Sequence, residues 1–363
     1  MTEARIAFFG SSLVSAYWNG ACTYYRGLIR ALHARGHRVT FYEPRAFERQ
    51  EHRDIRDPDW ATVVVYEPQD AAAVAAAAAP EADVIVKASG VGIGDALLEA
   101  AVLEAPGPAL RVYWDVDAPA TLARLERDPD DPLRALVHDY DAVLTYGGGA
   151  PVVTRYEALG ARRCVPVYNA LDPKTHFPAA PEPRFAADLG FLGNRLPDRE
   201  ARVQGFLFDA AAVVPERRFV LGGSGWDDGC GGENVECVGH IGTADHNAFN
   251  CSPLAVLNVT RESMAVNGWS PPTRVFEAAG AGACLITDTW EGIEEFLLPG
   301  VEVLVARDGA GVAAHVRDLD AERAAAIGRA ARQRVLDEHT YTHRAAQVEE
   351  VLQELRAGAG VVG

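Results

Sequence analysis

Lysine is nearly absent from this chain of 363 residues, in which Lys87 and Lys174 are the only lysines and every other permanently basic side chain is arginine. Arginine presents a fork of donors that matches phosphate oxygens, so guanidinium groups are the expected holders of any phosphate-bearing ligand. Positive charge is scarce overall, because 34 Lys and Arg face 51 Asp and Glu and the net charge is −17. A chain this acidic repels nucleic acid and anionic lipid at long range, which argues against both as partners.

Long apolar runs are also missing. The most apolar stretch, residues 71–79, is mostly alanine and falls far short of the roughly 20 residues that a bilayer span needs. The six cysteines are scattered, which excludes the disulfide framework of a small secreted domain. The first residues lead into a predicted strand without the basic and apolar regions of a signal peptide, so we expect a cytoplasmic protein.

What is present is the composition of a folded protein, with 48% apolar and 23% charged residues. Short apolar runs alternate with segments of helical periodicity, beginning with a strand at 5–10, a helix at 21–34 and a strand at 38–42. This alternation is typical of parallel sheets covered on both faces. The chain length suggests two domains, and we predict an α/β fold of two Rossmann-like parallel-sheet domains.

Proline marks the predicted boundary between the two domains. We expect an N-terminal domain at 1–172, a proline-rich linker at 173–184 and a C-terminal domain at 185–340. The helical segment 341–363 is expected to pack back on the N-terminal domain. Ligands of such sheets bind at the carboxyl ends of the strands, so the predicted site is a cleft in which the two domains face each other.

The densest group of candidate binding residues follows a predicted strand that ends near Val259. A helix is predicted from Thr273 to about Gly280, because a preceding proline suits a first helical turn. Its free N–H groups and the hydroxyl and guanidinium side chains around it would bind an anion. Glu277 lies one turn into this helix, where a carboxylate suits the two hydroxyls of a ribose. The candidates for the anion site are Arg261, Asn267, Ser270, Thr273 and Arg274.

Three motifs occur in this region: RVFEAAG at 274–280, GACLITD at 282–288 and GIEE at 292–295. They resemble the donor-binding half of GT-B fold glycosyltransferases, in particular the spore-maturation (CgeB-like) and glycosyltransferase group 1-like branch. The likeness continues through 299–305 and extends more loosely from 188 to the C-terminus. It implies a hexosyltransferase-type enzyme that moves a sugar from a nucleotide-diphosphate donor to a small-molecule or glycan acceptor, with no metal and no bound cofactor.

The resemblance also assigns roles to single residues. Glu277 would hold the nucleotide ribose, and Arg274 at the helix start would face the diphosphate and stabilise it as it leaves. Many retaining GT-B enzymes carry a second glutamate eight positions before the ribose glutamate. That position is Trp269 in this chain, which leaves open whether the reaction retains or inverts the sugar configuration.

Two glycine-containing loops and one histidine complete the predicted donor site. The loops follow the first two strands of the second domain, where the family holds phosphate with glycine and a basic side chain. The histidine lies in a segment that resembles the family's base pocket, with a purely structural role as the alternative. The residues are Gly193 and Arg195 (with Arg199 in reserve), then Gly223 and Ser224, and finally His240.

The first domain is predicted to supply the acceptor side. A long loop after its first strand offers aromatic rings and hydrogen-bonding groups, and a pair of aspartates follows a later strand, where a carboxylate could take the acceptor proton. Helix capping is the alternative role for that pair. The loop candidates are Ser11, Tyr17, Trp18 and Asn19, and the candidate catalytic bases are Asp117 and Asp115.

A metal site is not predicted. Cys230, Cys237, His240, His246 and Cys251 lack the paired C-x-x-C spacing of zinc sites, and His246 is interpreted as structural. Two other functions stay open, namely a sugar-nucleotide epimerase on the same scaffold and a non-catalytic relative that binds only a nucleotide or a glycan. The pattern does not identify the base, the sugar, the acceptor or the oligomeric state.

Overall fold

A computed structural model of the chain describes residues 3–17, 19–226 and 231–359. The chain forms two compact units. Unit 1 combines the chain up to Tyr168 with the part from Tyr341 onwards, and unit 2 is Asn169–Thr340. Among the helices of these described ranges, none has both the length and the apolar character of a membrane span.

Thirteen strands and fourteen α-helices make up the described part of the chain. The strands are β1 (Arg5–Phe9), β2 (Arg38–Pro44), β3 (Thr62–Tyr66), β4 (Val84–Ala88), β5 (Leu110–Asp115), β6 (Ala142–Thr145), β7 (Cys164–Pro166), β8 (Leu189–Leu192), β9 (Phe219–Gly222), β10 (Val235–Gly239), β11 (Ala255–Asn258), β12 (Leu285–Asp288) and β13 (Leu304–Ala306). The helices are α1 (Cys22–Ala34), α2 (Ala71–Ala78), α3 (Asp95–Glu104), α4 (Ala118–Arg127), α5 (Pro132–Leu136), α6 (Gly149–Ala158), α7 (Pro197–Val203), α8 (Asp209–Val213), α9 (His246–Cys251), α10 (Glu262–Asn267), α11 (Thr273–Gly280), α12 (Gly309–Asp318), α13 (Ala321–Glu338) and α14 (Tyr341–Ala359).

Each unit contains one parallel sheet. The seven strands of unit 1 lie in the order β3-β2-β1-β4-β5-β6-β7, and the six strands of unit 2 in the order β10-β9-β8-β11-β12-β13. In unit 1, Phe8 stacks on Phe41 with ring centroids 5.3 Å apart, and the next residue, Phe9, stacks on Tyr42 at 4.6 Å. Because successive strand residues point to opposite faces, β1 and β2 bury aromatic pairs on both faces of the sheet.

The C-terminal helix α14 packs on α1 within unit 1. Its first residue, Tyr341, lies so close to Gly27 that a Cβ at position 27 would be 2.2 Å from Tyr341 Cδ2. Further along α14, Glu349 Oε1 lies 2.8 Å from His37 Nε2, which is buried. A glycine at position 27 is therefore what lets the two helices approach each other.

The predicted α/β fold with two parallel sheets is confirmed, and the helix predicted from Thr273 to about Gly280 is α11. Two strands, β3 and β10, were not predicted. The chain passes between the units at 168/169 and 340/341, and residues 173–184 belong to unit 2 instead of forming a linker. In that segment Phe177 N donates to Asn247 Oδ1 at 3.2 Å, and Glu182 N donates to Ser252 Oγ at 2.8 Å.

Candidate functional site

One edge of the unit 2 sheet carries most of the residues predicted to bind a donor. Strands β9, β8, β11 and β12 are parallel neighbours, so the loops after them lie side by side at their carboxyl ends. Gly193 and Arg195 follow β8, Gly223 and Ser224 follow β9, and residues 261–277 follow β11. Ligands of open parallel sheets bind at this edge, so the edge is the candidate site.

The loops after β8 and β9 pack backbone against backbone. Arg195 N donates to Ser224 O at 3.0 Å, and Ser224 N donates to Asn194 Oδ1 at 3.0 Å. Gly223 has φ +134°, and a Cβ at this position would lie 2.2 Å from Gly193 O. Only glycine fits at position 223. The close contact between Gly223 and Gly193 O brings the backbones of the two loops together.

Replacing Gly223 by alanine is expected to lower the free energy of unfolding by about 3 kcal/mol, through backbone strain and overpacking together. Gly239 provides the matched control, because it has φ +70° but a Cβ there meets no atom within 4 Å. Gly239→Ala should cost only the strain of a left-handed residue, about 1–2 kcal/mol. Urea unfolding of both variants measures the difference, and equal midpoints would contradict the close contact at position 223.

The two arginines predicted at this loop have different surroundings. Arg195 Nη2 lies 2.5 Å from Glu200 Oε1, and its guanidinium lies over the Trp226 ring at 5.7 Å. Arg195 Nη1 also donates to Gly225 O at 3.4 Å, and Arg199 Nη1 approaches the other glycine loop, since a Cβ at Gly193 would lie 2.9 Å from it. Both guanidinium groups therefore lie beside the glycine loops, where a phosphate would approach.

A buried group of charged side chains surrounds the first turn of α11. Arg274 Nη1 lies 3.8 Å from Glu277 Oε2 and 3.4 Å from Asn250 Oδ1 of α9. His176 Nε2 lies 4.0 Å from Glu277 Oε1, and the His176 and His246 rings are 6.3 Å apart. We call these five residues the α11 cluster.

Burial and charge within the α11 cluster set its protonation. Burial raises the pKa of Glu277, but the electrostatic effects of His176 and Arg274 outweigh burial and hold that pKa below its ordinary value. Burial, with Arg274 nearby, lowers the pKa of His246 below its usual range. Burial also lowers the pKa of Arg274, against the pull of Glu277. At neutral pH the cluster therefore presents an ionised carboxylate.

The Glu277 carboxylate lacks hydrogen-bond donors. Its side chain is 12% exposed, and within the described ranges no donor lies within hydrogen-bond distance of its oxygens. Asn250 Nδ2 is likewise buried and has no hydrogen-bond partner in this part of the structure. The Glu277 side chain keeps some exposure, so an ionised carboxylate without a described donor at the carboxyl edge of the sheet is a ready acceptor for the hydroxyls of a ligand.

Sequence reasoning missed three of the five residues of the α11 cluster. His246 was interpreted as structural, and His176 and Asn250 were not singled out. His176 comes from the segment that was expected to be a linker. Gly280 explains its position, because a Cβ there would lie 3.1 Å from His176 O, so the backbone of His176 lies directly against α11. No spacing in the sequence signals this contact.

The remaining candidates around α11 differ in whether their polar groups are already used in hydrogen bonds within the protein. Thr273 is the first residue of α11, so backbone N–H groups of its first turn are available to an anion. Ser270 is buried and its Oγ donates to Gly268 O at 2.9 Å, and Asn267 Nδ2 donates to the same oxygen at 3.1 Å. Arg261 lies at the N-cap of α10. Ser270 and Asn267 therefore shape the turn before α11.

A buried ion pair fixes the ends of β11 and β12. Arg202 Nη2 of α7 donates to Asp288 Oδ2 at 2.6 Å, and Arg202 Nε donates to Thr260 O at 2.9 Å. Asp288 Oδ1 accepts from Thr260 N at 3.0 Å and from Thr260 Oγ1 at 2.9 Å. Asp288 is fully buried. Neither residue was predicted as functional, and their contacts give them the role of holding the loop that leads into α10.

Trp269 is strained. Its φ is +42°, and within the described ranges only Phe47 and Glu48 share a positive φ among residues other than glycine. Such a conformation costs on the order of 1–3 kcal/mol and persists only where the surroundings enforce it. The strain falls at the position where many retaining GT-B enzymes carry a glutamate.

In unit 1, the polar acceptor candidates are used internally. Ser11 Oγ donates to Asn19 Oδ1 at 2.8 Å, and Asn19 Nδ2 donates to Ser12 O at 2.8 Å. These side chains hold the loop after β1, and their contact with an acceptor stays a prediction. Tyr17 is exposed and stacks on His52 with ring centroids 4.1 Å apart, so it stays a candidate. Trp18, the fourth candidate, lies outside the described residues.

The two aspartates after β5 differ. Asp115 is fully buried and accepts hydrogen bonds from Ser89 Oγ at 2.7 Å, Thr121 Oγ1 at 3.0 Å and the Tyr156 hydroxyl. It therefore holds the end of β5 together, and a role as catalytic base stays a prediction for this residue. Asp117 occupies the N-cap position of α4, but its side chain does not cap that helix, and it stays the candidate base.

Possible metal ligands do not converge in the described part of the chain, where no group of three or more His, Cys, Asp or Glu could hold a metal ion. Cys237 is disulfide-bonded, Cys251 is a free thiol, and Cys230 lies outside the described residues. His240 follows β10 directly and is exposed, so it is accessible to a ligand at the edge of the sheet.

Comparison with known proteins covers both units. Residues 199–350 match the model of a family described as glycosyl transferase-like. No curated protein has a significantly similar sequence. The whole chain is similar in structure to sucrose-phosphate synthase from Thermosynechococcus elongatus, with TM-score 0.70, 15% identity and coverage of 98% of this chain and 100% of the other.

Two further structures are similar over nearly their whole length. HepE from Anabaena, solved in complex with UDP and glucose, gives TM-score 0.66 and 16% identity over 97% of this chain and 100% of its own. A glycosyltransferase from Rickettsia africae gives TM-score 0.69 and 11% identity over 98% and 99%. At identities this low, the structural similarity shows the fold alone. That fold is the two-domain Rossmann-like architecture of GT-B glycosyltransferases.

Proposed function

We propose that the protein is a GT-B glycosyltransferase, of the hexosyltransferase type and the CgeB-like branch, that transfers a sugar from a nucleotide-diphosphate donor without a metal. The observation that carries the proposal is Glu277, an ionised and unsatisfied carboxylate beside the N-terminus of α11. A ribose offers two adjacent hydroxyls to such an acceptor, and its diphosphate would reach the helix start. The match of residues 199–350 to a glycosyl transferase-like family supports this assignment.

The diphosphate would be held by donors from three loops. Backbone N–H groups at Thr273, the guanidinium of Arg199 and the backbone of the Gly193 and Gly223 loops all lie at the carboxyl edge of the sheet. As the glycosidic bond breaks, the leaving group gains negative charge, and preorganised donors stabilise this charge in the transition state. Arg274 keeps Glu277 ionised and adds positive charge at the same helix start.

Residues of unit 1 are proposed to bind the acceptor. We also propose that the protein is cytoplasmic. Asp117 is the proposed base that takes the acceptor proton, and Tyr17 and Trp18 are the proposed contacts with the acceptor. His240 is the proposed contact with the nucleobase of the donor. HepE was solved with UDP and glucose and also with UDP-glucose, so a UDP-sugar is the donor that we propose first.

Calorimetry and thermal unfolding with UDP, GDP, TDP and ADP test the proposal. We expect UDP to bind and to stabilise the protein by about 2.7 kcal/mol at a hundredfold excess over its Kd. UDP-glucose should then release UDP when an acceptor is supplied. Failure of every nucleoside diphosphate to bind would contradict the proposal, and conversion of the donor without any acceptor would favour an epimerase.

A further inference from the structure

The exposed large apolar side chains of unit 1 lie at one edge of its sheet. Within the described ranges of this unit four such side chains are exposed, each by 39–50%, and we call them the apolar edge: Tyr17, Phe47, Ile93 and Leu97. The first three lie in the loops after β1, β2 and β4, and the fourth is in the first turn of α3. Strands β2, β1 and β4 are parallel neighbours, so these loops meet at the carboxyl edge of the sheet.

Phe47 is held in its exposed position by the neighbouring loops. Its ring covers Gly92, where a Cβ would lie 2.9 Å from Phe47 Cε2, and the Arg49 guanidinium lies 4.9 Å from the ring centroid. Arg49 is buried, and its Nη1 donates to Ser11 O at 3.1 Å and to Val91 O at 3.2 Å. One guanidinium thus joins the loops after β1, β2 and β4 beside a half-exposed aromatic ring.

A second aromatic surface lies on the same loops. Tyr17 stacks on His52 with ring centroids 4.1 Å apart. His52 belongs to the same turn as Phe47, because His52 N donates to Glu48 O at 3.1 Å. Arg49 Nε, although buried, has no hydrogen-bond partner in the described part of the chain. The apolar edge therefore offers two aromatic faces and a guanidinium whose donors are not all used.

We infer that the apolar edge binds an acceptor that carries an aromatic or other apolar group in addition to the hydroxyl that receives the sugar. This inference rests on the proposed function. Apolar side chains of this size are exposed together where a ligand or a partner covers them. The polar side chains of Ser11 and Asn19 already bond within the loop after β1, so the contacts left for an acceptor are chiefly apolar.

Position and charge favour a small acceptor over a membrane as the occupant. Strand β4 pairs with β5, so the apolar edge lies next to the loop after β5, which carries the proposed base Asp117. Glu48 and Glu51 are exposed in the same turn as Phe47. Their carboxylates would repel an anionic lipid surface, whereas a neutral ring meets no such repulsion.

Phenyl β-glucoside and methyl β-glucoside are matched probes, because they differ only in the apolar group. With UDP present, ligand-observed NMR should give a Kd about tenfold lower for phenyl β-glucoside, as the partial burial of one ring predicts. Phe47→Asn removes the ring and suits the left-handed backbone at φ +57°, and it should bring the two Kd values to within about twofold of each other. Leu97→Gln should reduce the preference in part. Val213→Gln, at an exposed apolar residue of unit 2, should keep it.

UDP binding should be unchanged in all three variants, which shows that they are folded. Equal affinity of the wild type for the two glucosides, or an unchanged preference in both Phe47→Asn and Leu97→Gln, would overturn the inference and leave the proposed function intact. A wild type that forms dimers or binds phosphatidylcholine vesicles, and loses either property in Phe47→Asn, would overturn it in favour of a second copy or a membrane. A wild type that does not bind UDP would overturn the proposed function, and this inference with it.

Discussion

Asp288→Ala is expected to lower the free energy of unfolding by about 3 kcal/mol, because it leaves several buried donors without an acceptor and removes one of the two carboxylates that pair with Arg202, which keeps Glu262. Asp288 is fully buried, and its oxygens accept from the Arg202 guanidinium, from Thr260 N and from Thr260 Oγ1. All of these donors would lose their acceptor at once. The shift of the urea midpoint at constant m-value measures the loss.

An exposed pair in the same unit is the control for Asp288→Ala. Arg218 and Glu236 also form a salt bridge, but the side chains of both are 51% exposed. Exposed pairs contribute about 0–1 kcal/mol, so Glu236→Ala should leave the midpoint almost unchanged. If the two variants lost similar stability, the Asp288 contacts would not hold the ends of β11 and β12 in the way that we describe.

Much of the fold follows from the periodicity of the sequence. Buried parallel strands give continuous apolar runs, and the strands predicted at 5–10 and 38–42 are β1 and β2 to within two residues. The missed strand β3 contains the β-branched run of residues 62–65, which the alternation of strands and helices should have included. Strand β10 has mixed burial and a register shift between Cys237 and Gly239, so its pattern is weak.

The candidate site was predicted in outline and not in its contacts. The start of α11 could be predicted because prolines before Thr273 stop the preceding chain from being helical. Glu277 and Arg274 share one helical face by spacing alone. His176 could not be assigned, because its contact with Glu277 joins residues about a hundred positions apart, and periodicity carries no information on such pairs.

Burial distinguishes the two aspartates that follow β5. Asp115 and Asp117 look equivalent in the sequence, two positions apart after the same strand. In the structure Asp115 points into a network of buried hydroxyls, whereas the Asp117 carboxylate does not cap α4. Residues two apart on a strand face the same side, so the spacing does not separate the two aspartates. Strand β5 ends at Asp115, and its partner Ser89 is distant in the chain.

Glu277→Gln is expected to weaken UDP binding by about a hundredfold, which corresponds to about 3 kcal/mol for two hydrogen bonds that lose their charged acceptor. Glutamine has nearly the shape of glutamate, so packing around α11 is retained. Turnover of the donor should fall by at least the same factor, because the ribose contact positions the diphosphate for bond cleavage. Calorimetry measures the affinity, and release of UDP from UDP-glucose measures the turnover.

The pKa of Glu277 predicts the pH dependence of this effect. His176 and Arg274 outweigh burial, so the folded-state pKa lies below the value in the unfolded chain. The charge therefore stabilises the fold above the unfolded-state pKa, and this contribution is lost as the pH falls through the lower folded-state pKa. Between about pH 5 and 7 the Glu277 carboxylate should stay ionised, so it should not make the affinity of the wild type for UDP depend on pH.

A shorter carboxylate separates the charge of Glu277 from its reach. Glu277→Asp keeps the charge that balances Arg274, which lies 3.8 Å from the glutamate oxygen, but withdraws the carboxylate by one methylene from the hydroxyls of a ribose. We expect the Glu277→Asp variant to bind UDP more weakly than the wild type. It should retain a higher free energy of unfolding than the Glu277→Gln variant, because the buried Arg274 keeps a counter-charge. UDP binding by folded Glu277→Gln within twofold of the wild type would remove this carboxylate from the nucleotide site.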